Sequence, residues 1–127
     1  MTHHNKDKIQ NRAFLDVESN GDITTFQSNQ TIAHKLDVEL AKEQSHSVVH
    51  KNQLLHYKIK ITNKSCSPIC DAIFRDILDE DSEYVHGTFS FDGHPHTPIV
   101  VDHRLIYIVP KLYPHKEAIV AFAVKIK

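Results

Sequence analysis

From Leu54 to the last residue, apolar positions recur with a period of two. Leu55, Tyr57, Ile59 and Ile61 fall on one side of a run over residues 53–62, and Ala118, Val120, Phe122, Val124 and Ile126 fall on one side of the final run, 117–127. Such a period sends one row of side chains into a core and the other toward solvent. Between these runs, residues 70–78, 84–91 and 104–109 read as further strands. The first of the three alternates poorly, since Ile73, Phe74 and Ile77 point to partial burial on both sides. An acidic turn at 79–82, the turn dipeptide Asp92-Gly93 and two proline-bearing loops, 94–98 and 110–116, separate the runs. Short strands at this spacing predict an all-β sandwich or barrel.

The first part of the chain reads differently. Residues 1–12 are polar and read as a mobile tail. Residues 13–28 predict a β-hairpin: Ala13, Leu15 and Val17 alternate with Phe14, Asp16 and Glu18, Asn20-Gly21 supplies a tight turn, and the chain returns through Ile23 and Phe26. Residues 31–42 fit two patterns, helical through Ile32, Leu36 and Leu40, or extended through Leu36, Val38 and Leu40. The strand is preferred over 35–41 because strands dominate elsewhere. Residues 43–52 read as a connection, with Val48-Val49 a short edge strand. The division expected is a tail and hairpin over 1–30 and a sandwich over 31–127.

Composition narrows the function classes. The 127 residues form one core-bearing domain by length, and 40% are hydrophobic. Fifteen Lys and Arg balance sixteen Asp and Glu, for a formal net charge of -1. That is not the footprint of a nucleic-acid binder. No stretch approaches the ~20 apolar residues of a membrane helix. The polar start lacks the apolar segment of a secretory signal. Eleven His against three Gly is an unusual balance, and it makes net charge rise steeply below pH ~6.5.

From residue 35 onward, four stretches carry a resemblance. They are Leu55 to Asn63, ending in Thr-Asn; Phe74-Arg75-Asp76-Ile77-Leu78; Tyr84 to Gly93, aromatic at its start and closing in Asp-Gly; and Leu112-Tyr113-Pro114-His115-Lys116-Glu117 before the last strand. Their order resembles the bacterial surface conserved-repeat family called domain of unknown function 11, an immunoglobulin-like β-sandwich. His115 stands where that family usually has Gly, Asn63-Lys64-Ser65 replaces a Gly-containing turn, and two Cys are unusual for it. The resemblance implies a structural, non-catalytic role in surface proteins or fibres, with no catalytic residue and no cofactor to transfer.

Candidate chemistry is sparse. Cys66 and Cys70 are one residue too far apart for a redox Cys-x-x-Cys pair. They allow a small disulfide ring, a cross-link to a neighbouring subunit, or two reduced thiols. His94 and His96, with His103 nearby in sequence, are weak candidates for a transition metal, opposed by Pro95, which holds the loop extended. Asp79-Glu80-Asp81 lacks the spaced ligands and Gly of a calcium loop. No Gly-x-Ser-x-Gly and no phosphate-binding glycine loop occurs, so the expectation is a protein that is not an enzyme.

The hairpin carries the strongest functional expectation. An isolated two-stranded ribbon is marginal in water, so Phe14, Leu15, Val17, Ile23 and Phe26 must dock on something. They either protect an edge of their own sandwich or complete the sheet of a neighbouring copy by strand addition. The expected function is a structural subunit of a bacterial cell-surface or spore-surface assembly, whose partners are itself or other surface proteins. The alternative is a monomeric binding module for a protein or glycan. The missing signal conflicts with a surface role: one resolution is a spore-surface protein made in the mother cell and released by lysis, and the other is a protein that stays in the cytoplasm.

Overall fold

In a computed structural model, which describes residues 8–127, every regular element is a β-strand and every pairing is antiparallel. The chain forms two compact units, residues 1–36 and residues 37–127. The first is a long ribbon of β1 (Lys8–Asn11), β2 (Phe14–Ser19), β3 (Asp22–Gln27) and β4 (Thr31–His34). β2 pairs with β3 and β1 with β4. Arg12 and Ala13 face Ser28, Asn29 and Gln30 where the two pairings meet, so one extra residue makes a bulge. Ser28 stitches it: its N–H donates to the Ala13 carbonyl at 2.9 Å and its hydroxyl accepts from the Ala13 N–H at 2.9 Å.

The hairpin expected over 13–28 is therefore the distal part of a longer ribbon. Lys8–Asn11, read from sequence as tail, is strand, Arg12 follows it outside any strand, and tail residues 1–7 lie outside the described part. Thr31–His34 belongs with the ribbon through β1, which moves the division past residue 30 to residue 36.

The second unit holds β5 (Val38–Gln44), β6 (Leu54–Asn63), β7 (Ala72–Ile77), β8 (Ser82–Tyr84), β9 (Ser90–Phe91), β10 (His94–Pro95), β11 (Ile99–Val101), β12 (Arg104–Val109) and β13 (Glu117–Ile126). One sheet has the order β10-β9-β13-β6-β5, with β8 also on β13; the other has the order β11-β12-β7. The two pack as an antiparallel β-sandwich, one of the two all-β architectures the alternation predicts. Leu55, Ile59 and Ile61 of β6 and Ala118, Val120, Phe122 and Val124 of β13 are buried from one side; Phe74 and Leu105 meet them from the other. Phe89 lies at the centre, 5.0 Å from the Tyr107 ring and 6.4 Å from those of Phe74 and Phe122. Most of the aromatics of this unit are thus core, although Tyr113 is exposed beneath Lys111 Nζ at 5.4 Å.

Several boundaries differ from expectation for physical reasons. The strand expected over 84–91 is two short strands, because Gly87 takes φ +85° and Thr88 closes a turn on the Val85 carbonyl at 2.7 Å. The strand expected over 35–41 begins later, at Val38, and runs to Gln44; Val48-Val49 is not a strand. β7 does alternate: Ala72, Phe74 and Asp76 face inward, and Ile73 and Ile77 are exposed. The inward place of Asp76 hid that period.

Candidate functional site

Two surfaces stand out once the strands are placed. The first is the ribbon. Every residue from Lys8 to His34 is exposed, Leu15 at 64%. Cross-strand pairs share a face, so Leu15/Phe26 and Val17/Thr24 form one side of β2–β3. Phe14/Gln27, Asp16/Thr25 and Glu18/Ile23 form the other. One face is thus apolar along most of its length, with Ser19/Asp22 at its turn end, and the other carries Asp16 and Glu18, with Thr25 Oγ1 donating to Asp16 Oδ1 at 2.7 Å. The structure brings Leu15, Val17 and Phe26 together and puts Phe14 and Ile23 on the opposite face.

The second is the flank of the sandwich where both sheets end. β5 closes one sheet and β7 the other, so among the described residues each has one edge without a strand beside it. Val38 and Leu40 lie opposite Asn63 and Ile61, which are buried, so both point to the core side. Yet they remain 40% and 60% exposed. Inward-facing residues stay this open only where no strand covers them. A groove of about 190 Å³ follows, lined by Val38, Leu40, Ile61, Phe74, Val109 and Leu112, almost wholly apolar. It continues past Leu40 and Phe74 toward Lys42, Arg75 and Asp76. There Lys42 Nζ spans from β5 to β7 and meets Asp76 Oδ2 at 2.7 Å, sitting also 4.3 Å over the Tyr57 ring.

Polar residues brace the other end of that flank. Asn63 is fully buried; its amide donates to the Ser67 and Leu112 carbonyls at 2.9 and 3.0 Å and its carbonyl accepts from the Ser65 N–H at 2.9 Å. Cys66 and Cys70 lie exposed on the same connection, where Ile69 bridges to Leu112.

The histidines singled out from sequence are spread apart by function of place. His94 is in β10, His96 packs its ring 5.4 Å from Tyr107, and His103 occupies the β11–β12 turn at φ +61°. Among the described residues, no group of three or more His, Cys, Asp or Glu is placed to hold a metal ion. Asp79 ties its own turn, its carboxylate accepting the Asp81 N–H at 2.8 Å. A Ser–His contact not singled out from sequence, Ser45 Oγ to His46 Nδ1 at 2.8 Å, is exposed, and that hydroxyl also accepts the His56 N–H at 3.0 Å. Partial burial among Phe89, Phe91 and His96 pushes the Tyr107 phenol above its ordinary value.

Sequence reasoning found the ribbon but not the groove. Leu36, Val38 and Leu40 were legible as an alternating run; that β5 ends its sheet depends on long-range pairing, which no local pattern reports. A third apolar area was equally hidden: Ile73, Ile77, Ile99 and Ile108 are exposed on the outward face of β11-β12-β7. No family model matches the chain, and comparison with curated proteins and with solved structures finds no match.

Proposed function

We propose that this protein is a non-enzymatic structural subunit that assembles with copies of itself, its N-terminal ribbon adding strands to a neighbour's immunoglobulin-like sandwich. The observation that carries this reading is the ribbon. It is two strands wide, exposed on both faces, and it displays Leu15, Val17 and Phe26 on one side. A free ribbon of this kind is marginal in water and gains stability by pairing its edges and covering its apolar face. Strand addition does both, through main-chain hydrogen bonds and pockets for alternate side chains. A contact between unlike surfaces that does not close into a ring yields an open fibre. The resemblance to a surface-repeat family fits a place in a bacterial cell-surface or spore-surface assembly.

Light scattering and negative-stain microscopy across a concentration series test the reading. Wild-type protein is expected to form growing assemblies, and the Leu15→Asp/Val17→Asp variant to stay monomeric. Wild-type protein that remains a monomer at every concentration defeats it.

A further inference from the structure

Resting on that reading, we infer that the acceptor is the groove between β5 and β7, and that its occupant is the ribbon of a second copy, with β2 lying along β7 and β3 along β5.

Three observations converge on this pairing. The groove is open where inward-facing Val38 and Leu40 lack cover, and its two rims are sheet edges with main-chain groups to offer. The ribbon's Leu15, Val17 and Phe26 cluster on one face of β2–β3, away from Asp22 at its turn end, and are suited to lie over it. Length also matches: β2 and β7 are six residues each, β3 six and β5 seven.

Charge then chooses the orientation. The outward residues of β5 include Glu39 and Glu43, and those of β7 include Arg75 between Ile73 and Ile77. With its apolar face inward, the ribbon turns Asp16 and Glu18 outward on β2, and Ile23 and Thr25 on β3. β2 beside β5 would set carboxylates against carboxylates, which is destabilising for directly opposed strands. β2 beside β7 sets them next to the Arg75 guanidinium, and the uncharged outward row of β3, Ile23, Thr25 and Gln27, falls beside Glu39 and Glu43. The groove thus accepts an amphipathic ribbon in one of two orientations.

Mixing full-length variants tests this separately from self-assembly as such. Leu40→Asp blocks the groove at an exposed position; Leu15→Asp/Val17→Asp blocks the ribbon. Each alone is expected to be monomeric by sedimentation, and an equimolar mixture to form a 1:1 dimer that grows no further. Arg75→Glu is expected to raise the concentration needed for assembly at least tenfold, and Arg75→Glu/Asp16→Arg/Glu18→Arg to restore it. Circular dichroism and urea midpoints check that each variant folds; if Leu40→Asp does not, the Arg75 series decides. Assembly that persists in Leu40→Asp, or charge reversal that fails to rescue, overturns the groove assignment while leaving self-assembly standing. A monomeric wild type overturns both, and means the ribbon is satisfied within its own chain.

Discussion

Lys42 and Asp76 form an ion pair at 2.7 Å that joins the last strand of one sheet to the last strand of the other. Asp76 is 8% exposed, whereas Lys42 keeps much of its side chain in solvent. Removing the ammonium strands a carboxylate on the core side. Lys42→Met is therefore expected to cost about 1–2 kcal/mol, between the values for exposed and buried pairs. Lys42→Met/Asp76→Leu is expected to regain most of it, because an apolar pair needs no desolvation of charge. Urea unfolding of the two variants and wild type measures both steps.

Asn63 is expected to matter more than any other polar side chain of the second unit. Asn63 makes three hydrogen bonds, and Asn63→Ala leaves the Ser67 carbonyl and the Ser65 N–H to find other partners and the Leu112 carbonyl with the Ile69 N–H alone. At about 1 kcal/mol or more for each, the loss is about 3 kcal/mol. Asn63→Asp is expected to be worse than its near-identical shape suggests, since it turns an acceptor toward the Ser67 and Leu112 carbonyls. Thermal unfolding of the two variants ranks them.

How the chain declared these features is uneven. The alternation of Leu55 to Ile61 and of Ala118 to Val124 needed only local sequence, because burial follows the period directly. β7 resisted, because Asp76 occupies a core position that only Lys42, 34 residues earlier, makes tolerable. The groove was illegible for the same reason: Leu40 reads as an ordinary core leucine until the sheet order leaves its strand last.

The turn Asp102-His103 is a two-residue hairpin with both residues left-handed, at φ +49° and +61°. Asp92-Gly93 and Asn20-Gly21 do the same with Gly in second place. An L side chain pays about 1 kcal/mol there. His103→Gly is expected to stabilise by about 0.5–1 kcal/mol, part of the gain being lost to the freer unfolded chain. His103→Val is expected to destabilise, since a branched Cβ fits that region worst. Urea midpoints of the two variants should move in opposite directions.

Tyr107 sets a pH dependence. Its phenol is raised in the folded state by desolvation, so the fold holds the proton more tightly than the unfolded chain does. The stability this contributes is complete below the unfolded value near 10 and is lost as pH rises through the higher folded value. Tyr107→Phe removes the titrating group and keeps the ring contacts with Phe89 and Phe91. The drop in urea midpoint between pH 9 and 11 is expected to be smaller in that variant than in wild type.

In the proposed assembly the ribbon and the groove are different surfaces, so a row of copies joined through them would have polarity. One tip ends in a bare ribbon and the opposite tip in a vacant groove, so newcomers meet different chemistry at each. Growth then proceeds at two unequal speeds, and a short soluble peptide copying residues 13–27 would cap one tip while the other kept extending.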